Sequence, residues 1–224
     1  MTAWFAARQV RDDPPASVLD LGCGIGAVLM LLAWRFPGAR GVGVEAQRMS
    51  LDLARRSLAW NGAAERCRVQ LGDIRDAAVF AAGDTFALVT GTPPYLRPDA
   101  ATPPTRVQCG PCHLEYRGGI EAYCAAAARW MAPGGRFVAC EAAAQVERVI
   151  GAAAAAGLRI ERRVDVIPRD GKAALFSVYA MCRAGGARPS AGERLVEPPL
   201  VVRDVAGRRT DAFRLVREEM GMPP

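Results

Sequence analysis

The order in which short apolar runs alternate with helical stretches constrains the fold of this chain most. Five apolar segments, beginning with SVLDLG at residues 17–22, alternate with helical stretches as far as residue 157. Such alternation predicts an α/β fold with a parallel sheet. The pattern then changes, because LRIERRVDVIP and AALFSVYAMC are separated only by RDGK, which predicts an antiparallel hairpin. A plain dinucleotide-binding fold ends instead in a sixth parallel strand.

Glycine, proline and asparagine set the boundaries of the predicted elements. We expect strands at 17–22, 39–46, 67–73, 86–91 and 136–142, and helices at 25–35, 47–60, 118–131 and 144–156. The segments 96–116 and 184–194 are rich in loop-forming residues and are expected to be loops. The 224 residues, 51% of them hydrophobic, suffice for one core. We therefore predict a single domain over 1–224, with a core at 16–183 and a basic C-terminal extension at 184–224.

Positive charge is concentrated toward the end of the chain. The net charge is +6, and residues 159–224 hold 13 basic and 9 acidic side chains. A basic segment of this kind favours binding to a polyanion, since phosphate contacts release counterions. The alternative is that the arginine- and alanine-rich composition reflects a GC-rich genome. The predicted fold does not decide between these explanations, since net charge bears on association rather than on fold.

A glycine-rich turn follows the first predicted strand in VLDLGCGIGA. It places Asp20, Gly22, Gly24 and Gly26 between a strand and the start of a helix. Glycine accepts positive φ and lets a ligand lie against bare backbone, while the helix N-terminus offers free N–H groups. Glycines at such a turn can also be purely structural, so their spacing alone does not identify a ligand.

Two further acids end the next two predicted strands. Glu45, followed by Ala46, can accept hydrogen bonds from both hydroxyls of a ribose. Asp73, followed by Ile74, suits the exocyclic amine of an adenine. With Asp20 they surround a site whose glycine loop has no arginine to neutralise a phosphate. A cationic nucleoside without phosphate fits better than NAD, and we predict S-adenosylmethionine as the cofactor.

The fourth predicted strand ends in TPPY at residues 92–95, and with this turn the chain resembles a known family. The glycine loop, the two strand-end acids and this turn look like the signature of Rossmann-like methyltransferases that act on amino groups. The resemblance runs from Ala16 to Gly221 and points to bacterial tRNA adenine-N6 methyltransferases that modify a valine tRNA. It implies a mostly parallel seven-stranded sheet with a C-terminal antiparallel hairpin. It also implies a tail, 199–221, with a short strand, an acidic-Gly turn and a Thr-capped final helix.

The TPPY turn suits methyl transfer to a nitrogen whose lone pair is delocalised. A side-chain oxygen at Thr92 and the backbone carbonyl of Pro93 can accept the two N–H bonds of such an amine and so aim it. Proline at 93 and at 94 fixes φ and has no N–H of its own. The face of Tyr95 can stack on a flat substrate, which is worth about 1–3 kcal/mol per base. The resemblance implies that Thr92, Pro93, Pro94 and Tyr95 are catalytic by positioning, with Thr92 also beside the cofactor.

Thr92 departs from the family's pattern, in which asparagine is usual for an adenine or glutamine nitrogen. A threonine oxygen lies closer to the backbone and offers no carbonyl. Three hypotheses therefore stay open: adenine-N6 methylation of tRNA, methylation of a small molecule or a protein side chain, and a catalytically degenerate protein that binds the cofactor or RNA. The segment before Ser17 is also shorter than in the family, and MTAWFAARQV looks like the end of a cofactor-covering segment.

The predicted loop 96–116 carries Cys109-Gly-Pro-Cys112 followed by His113. A thioredoxin-type redox site needs its thiolate at a helix N-terminus after a strand, and a zinc site needs about four ligands. We expect incidental cysteines in a substrate-facing loop, and no metal site. Three arginines flank the loop and could contact phosphates, or could simply be solvated: Arg97, Arg106 and Arg117.

Composition also bears on location. An odd number of cysteines, seven, mostly inside apolar segments, favours reduced and packed thiols. No apolar run is long enough to span a membrane, and the first residues lack the pattern of a signal peptide. We therefore expect a cytoplasmic protein that has no membrane partner and binds tRNA.

Overall fold

One mixed sheet organises the molecule. The structure is a computed structural model that describes residues 1–96, 114–185 and 195–223. Its strands are β1 Ser17–Leu21, β2 Arg40–Glu45, β3 Cys67–Leu71, β4 Phe86–Gly91, β5 Met131–Ala142, β6 Leu158–Ile167, β7 Phe176–Arg183, β8 Leu195–Val196 and β9 Leu200–Val201. Its α-helices are α1 Thr2–Gln9, α2 Ala27–Arg35, α3 Arg48–Trp60, α4 Ile120–Trp130, α5 Val146–Ala155 and α6 Asp211–Glu219.

The strand order is β3-β2-β1-β4-β5-β7-β6, with β8 and β9 both paired to β6. Strands β1 to β5 are mutually parallel, and β7 is antiparallel to both β5 and β6. The predicted α/β class, with seven main strands and a C-terminal antiparallel hairpin, is confirmed. Two antiparallel pairings make β6 parallel to β5, so the carboxyl ends of β1 to β6 all lie at one edge of the sheet. We call this edge the upper edge.

Apolar layers cover both faces of the sheet. One layer contains buried residues of α1, α2 and α3 together with Val216 of α6. The other contains buried residues of α4 and α5, such as Tyr123 and Val149. Strand side chains alternate between the two, as in β5, where Val138 belongs to the first layer and Ala139 to the second. This two-sided burial explains the near-continuous apolar runs of the strands.

Strand β5 begins five residues earlier than the sequence predicts. Helix α4 ends at Trp130, and Met131 pairs at once with Phe86 of β4. A register shift follows, after which Arg136 pairs with Leu88. The Pro133-Gly134-Gly135 stretch therefore forms an irregular first part of the strand rather than a turn before it.

The tail has the elements that the family resemblance implies. Strand β9 is followed by a turn in which the N–H of Gly207 donates to the Asp204 carbonyl at 2.9 Å. Thr210 then caps α6 by accepting from the N–H of Phe213 at 3.2 Å. Trp4 of α1 donates from its indole to Glu219 at 2.7 Å, which joins the two ends of the chain. The predicted single domain, with its core and extension, stays a prediction.

Candidate active site

A crevice of about 340 Å³ opens at the upper edge between the ends of β1 to β4 and the start of α4. This volume lies in the usual range for a small-molecule site. Eight of the nine residues predicted to bind a cofactor line it: Asp20, Gly22, Gly24, Glu45, Ala46, Asp73, Ile74 and Thr92. The ninth, Gly26, is the N-cap of α2 instead.

The glycine loop needs its glycines for conformation. Gly22, Gly24 and Gly26 have φ values of 59°, 55° and 85°, in the region that side chains disfavour. The loop is tied to β2 by the N–H of Cys23, which donates to the Val44 carbonyl at 3.0 Å. A Cβ at Gly24 would meet no atom of the described residues within 4 Å, so among them its bare backbone is uncovered.

Glu45 braces the glycine loop from the end of β2. One carboxylate oxygen accepts from the N–H of Gly24 at 2.9 Å, and the other accepts from the N–H of Gln47 at 2.8 Å. The side chain is buried yet lines the crevice. A carboxylate oxygen can accept more than one hydrogen bond, so both oxygens of Glu45 keep capacity for ligand hydroxyls.

Asp20 is a buried carboxylate on the floor of the crevice. It is only 2% exposed and accepts from the Thr90 hydroxyl at 2.8 Å. Burial raises the pKa of Asp20 to about 7, against the opposing effect of the Thr90 hydrogen bond, and the nearby charge of Glu45 adds to the rise. A positive group in the crevice would stabilise the ionised carboxylate of Asp20 and so offset the cost of its burial.

Asp73 is held by its own neighbour. The Arg75 guanidinium donates to the Asp73 carboxylate at 2.9 and 2.6 Å, and the Arg75 N–H donates at 2.9 Å. These contacts, led by the Arg75 side chain, hold the pKa of Asp73 below its usual value. Asp73 is therefore an ionised acceptor, and Arg117 across the crevice adds to its stabilisation.

Tyr123 of α4 is a crevice residue that the sequence reasoning missed. Its ring crosses beneath the ends of β1 and β4. A Cβ at Gly22 would lie 2.2 Å from its hydroxyl oxygen, and a Cβ at Gly91 would lie 2.5 Å from its ring. The signal that could have found it is the pair of strand-end glycines, since each leaves room for a large side chain.

The TPPY turn divides its residues between the crevice and the core. Thr92 is exposed, and both Thr92 and Pro94 line the crevice. The Thr92 hydroxyl oxygen lies 3.5 Å from that of Thr2, at the start of α1. Thus the N-terminal helix, expected to belong to a cofactor-covering segment, reaches Thr92 where the TPPY turn lines the crevice.

Tyr95 packs against the apolar layer of α1 and α2 and does not line the crevice. Its hydroxyl lies 2.9 Å from Cys140 Sγ, and its carbonyl accepts from Gln145 Nε2 at 3.0 Å. Burial and the neighbouring Cys140 raise the pKa of the phenol. Stacking of Tyr95 on a substrate, and the carbonyl role assigned to Pro93, stay predictions.

The two cysteines and the histidine of the predicted loop, together with two of its three arginines, lie outside the described residues: Cys109, Cys112, His113, Arg97 and Arg106. In the described ranges, no group of three His, Cys, Asp or Glu side chains is arranged to hold a metal ion. The five cysteines there are free and buried, as predicted for reduced thiols. Nor is any helix in the described part of the chain long and apolar enough to cross a bilayer.

Residues 18–102 match a protein-family model described as a methyltransferase domain. The chain contains an S-adenosylmethionine-dependent methyltransferase domain. S-adenosylmethionine, predicted from the glycine loop and the acids, is the cofactor of such domains. The matched residues include the glycine loop, Glu45, Asp73 and the TPPY turn, but the wall of the crevice formed by Arg117, Gly118 and Tyr123 lies outside the match.

The proteins that are similar to the chain include two curated relatives and one solved structure that differ in their named substrates. The release factor glutamine methyltransferase of Cereibacter sphaeroides is 34% identical over 173 residues, which cover 74% of this chain and 60% of that protein. The tRNA1(Val) (adenine(37)-N6)-methyltransferase of Porphyromonas gingivalis is 30% identical over 103 residues, 45% of this chain and 40% of that protein. The chain thus spans less than two thirds of each relative.

The solved structure supports the fold alone. It is a predicted O-methyltransferase from Agrobacterium tumefaciens, which superposes with a TM-score of 0.71 at 22% identity and covers 100% of this chain and 98% of that one. The Rossmann-like methyltransferase fold implied by the sequence is therefore confirmed.

Proposed function

We propose that this chain transfers the methyl group of S-adenosylmethionine to the nitrogen of a planar amine, with an adenine amine of tRNA as its substrate. One observation carries the proposal: the TPPY turn and the glycine loop face one crevice. Thr92 and Pro94 line it on one side, and Asp20 and Glu45 line it on the other. A cofactor held by the acids would therefore lie beside the acceptor turn.

The crevice fits a cationic nucleoside. Asp20 and Glu45 are both buried carboxylates in it, and burial already penalises the charged form of Asp20. Gly24 leaves bare backbone open on the same side. We assign Glu45 to the ribose hydroxyls, Asp73 to the adenine amine, and Asp20 to the positive end of the cofactor. S-adenosylmethionine supplies the methyl group that is transferred.

The acceptor turn then acts by positioning. A planar amine is a weak nucleophile because its lone pair is shared with the π system, so it must be held with both N–H bonds accepted. Thr92 lines the crevice and carries a hydroxyl oxygen that can accept one N–H bond. The carbonyl of Pro93, the next residue, is assigned to the other, and the ring of Pro94 limits its direction by restricting the ψ angle of Pro93. Alignment of this kind can contribute roughly 7–11 kcal/mol to the rate. No side-chain nucleophile is required.

The two relatives favour this class of acceptor. One is named for a glutamine and the other for adenine N6. An amide and an exocyclic adenine amine both carry an NH2 group conjugated with a planar π system. The two names do not decide whether the substrate is a protein or an RNA, since one relative is named for a release factor and the other for a tRNA.

A basic surface at the upper edge favours RNA. The loops 168–172 and 202–210 leave the carboxyl ends of β6 and β9, which are parallel neighbours. The N–H of Asp170 donates to the Arg203 carbonyl at 2.8 Å, which joins the two loops. Together they hold five basic and two acidic side chains, for a net charge of +3. We call these five basic residues the basic edge: Arg169, Lys172, Arg203, Arg208 and Arg209.

The basic edge suits a phosphate backbone. Four of its five side chains are exposed, the exception being Arg209. Arg208 is paired with Asp204 at 3.0 Å, but it is 76% exposed, so this ion pair is weak in water. The surface shares the upper edge with the crevice, so an RNA bound there could present a base to Thr92. A protein substrate gains less from such a surface, because its backbone carries no charge.

The substrate is tested by product analysis. The full chain is incubated with isotope-labelled S-adenosylmethionine and either unmodified tRNA or a release factor protein. We expect labelled N6-methyladenosine in the digested tRNA. Label found only on glutamine of the protein would transfer the proposal to the second polymer, and label in neither would contradict it.

The basic edge is tested by salt dependence. Replacing Arg169, Arg203 and Arg208 with Gln should lower the slope of log affinity for tRNA against log salt by about 2–3, since each phosphate contact contributes about 0.7–0.9. A matched variant replaces three exposed arginines of β2, α3 and β3 with Gln: Arg40, Arg56 and Arg68. Equal slopes in the two variants would show that only net charge matters.

A further inference from the structure

Arg148 of α5 uses its whole guanidinium on side chains beside the acceptor turn. Its two terminal nitrogens donate to the Glu115 carboxylate at 2.6 and 2.8 Å. Glu121 accepts from Nε and Nη2 at 2.7 Å each, and Gln145 Oε1 accepts from Nη1 at 2.9 Å. These are five contacts for the five N–H bonds that a guanidinium has. We call these four residues the Arg148 network.

The Arg148 network ends on the TPPY turn. Gln145 accepts from Arg148 through its side-chain oxygen and donates from its side-chain nitrogen to the Tyr95 carbonyl at 3.0 Å. An amide side chain can do both only in one orientation, and Arg148 sets that orientation. The carbonyl of Tyr95, the last residue of the turn, is thereby held by the residue that precedes α5, fifty positions further along the chain.

The same network holds the wall of the crevice. The N–H of Glu115 donates to the Leu96 carbonyl at 2.9 Å, and the Glu115 carbonyl accepts from the N–H of Gly118 at 3.1 Å. Gly118 lines the crevice. The Glu115–Arg148 pair lies directly on the bare backbone of Gly119, where a Cβ would be 2.6 Å from atoms of both side chains. The Glu115–Arg148 ion pair is therefore linked both to Leu96, which follows the TPPY turn, and to Gly118 in the crevice wall.

We propose that Arg148 is a positioning residue for methyl transfer, which aligns the TPPY turn with the cofactor crevice through Gln145 and Glu115. The inference rests on the proposed function, because it assigns the acceptor site to that turn. Arg148 contacts neither the crevice nor its contents. It acts by holding Tyr95 and Gly118 in register, where an error of about 1 Å can lower a rate about 100-fold.

Lysine cannot replace this arginine. An ammonium has three donors on one atom, whereas the network needs a planar fork that reaches two carboxylates and an amide. Arg148→Lys keeps the charge, so Glu115 and Glu121 stay neutralised while the link to Gln145 is lost. Arg148→Lys therefore tests the hydrogen-bond geometry of the Arg148 network while the positive charge at residue 148 is kept.

A buried arginine at the other end of β5 gives the matched control. Arg136 is 6% exposed, pairs with Glu161 at 3.1 Å and donates to the carbonyls of Gly134 and Gly135. It lies in the amino-terminal half of the strand, where it pairs with Leu88 of β4, away from the upper edge. Arg136→Lys should therefore cost stability as Arg148→Lys does, without touching the acceptor turn.

The experiment measures methyl transfer, cofactor affinity and amide hydrogen exchange on the full chain. We expect Arg148→Lys to lower kcat at least tenfold, to change the S-adenosylmethionine Kd less than threefold, and to speed exchange in residues 92–96 and 114–119 at least tenfold. Gln145→Glu, which removes the donor to Tyr95 and keeps the size, should lower kcat by a similar factor. Arg136→Lys should leave kcat and this exchange within twofold of wild type.

Three results would overturn the proposal. The first is Arg148→Lys with kcat within twofold of wild type. The second is equal losses in Arg148→Lys and Arg136→Lys, which would make the effect one of general stability. The third is that Arg148→Lys speeds amide exchange while the wild-type protein transfers no methyl group to tRNA or to protein. Arg148 would then have only a structural role. Only this third result also contradicts the proposed function.

Discussion

The two sides of the crevice are built in different ways. On the cofactor side, one short turn from Asp20 to Gly26 supplies bare backbone, and Glu45 braces it through the Gly24 N–H. On the acceptor side, the TPPY turn is held by Gln145 and Arg148 from a distant helix. The comparison teaches that the glycine loop is fixed mainly by a local motif and one neighbouring strand end, whereas the TPPY turn is fixed by long-range tertiary contacts.

Each side also buries one carboxyl group whose pKa is raised to about 7 by burial. Asp20, on the cofactor side, receives a hydrogen bond from Thr90. Glu141, on the acceptor side, is fully buried; one of its oxygens accepts from the N–H of Ala142, and the other has no hydrogen-bond partner among the described residues. Asp20 faces a crevice that can receive a cation, but Glu141 is enclosed.

The largest effect should come from the cofactor side. Gly22→Ala places a Cβ 2.2 Å from the Tyr123 hydroxyl oxygen at a φ of 59°. Overpacking and left-handed strain together should cost about 4 kcal/mol of unfolding free energy. We also expect S-adenosylmethionine binding to fall below detection by calorimetry, because the loop must move away from Glu45.

Gly24→Ala is the matched control for this prediction. It has nearly the same φ, 55°, but its Cβ would meet no atom of the described residues within 4 Å, so only the strain of about 1–2 kcal/mol is expected. Adding Tyr123→Phe to Gly22→Ala should restore part of the stability, since the nearest ring atom would then be 3.2 Å away. Equal losses for Gly22→Ala and Gly24→Ala would contradict the role given to Tyr123.

The next effect is one of pH on the acceptor side. The folded pKa of Glu141 is about 7, against an ordinary value of 4.5, so between these values the folded state binds the proton that the unfolded state has lost. Stability due to this group is therefore present below pH 4.5 and is lost as the pH rises to 7, by about 3 kcal/mol. Glu141→Gln removes this loss and should be the more stable protein at pH 8.

Urea unfolding at pH 4.5 and pH 8 checks this prediction. Three charged groups act on Glu141: Arg148 opposes the rise in its pKa, while Glu115 and Glu121 add to it. The difference in unfolding free energy between Glu141→Gln and wild type should grow between the two pH values. A difference that is the same at both would mean that Glu141 titrates normally.

The sequence predicts the cofactor side well because its residues are close in the chain and each has a chemical reason. Eight of the nine predicted residues line the crevice, and Gly26 differs because it begins α2. Strand-end acids in a parallel sheet must meet at one edge, so Glu45 and Asp73 follow from the alternation of elements. Arg75, which pairs with Asp73, lies two residues away and carried no visible signal.

The acceptor side could not be predicted to the same depth. The motif marks the turn, but the direction of Tyr95 depends on Cys140 and on the packing of α1, which no local pattern encodes. Arg148 and Glu115 are separated by 33 residues, and many arginines of this chain could have formed such a pair. Long-range polar contacts of this kind require the topology first.

The smallest effect concerns Thr92 itself and tests which group the acceptor side is shaped to hold. Thr92 is exposed in the crevice, so an asparagine fits there without displacing the core. Its amide oxygen reaches farther than the hydroxyl and can accept from a planar amine. Thr92→Asn should therefore raise kcat for adenine methylation about tenfold, or 1.4 kcal/mol in the barrier, with the cofactor Kd unchanged.

Thr92→Val, which has the same shape without an acceptor, should lower kcat and so shows that the oxygen is used. If Thr92→Asn instead slowed transfer to every acceptor offered, the short hydroxyl would be the fitted group. The substrate amine would then approach closer to the backbone of the turn than an adenine held by asparagine does. In that case the acceptor side, and not the cofactor side, would distinguish this chain from the relatives that it resembles.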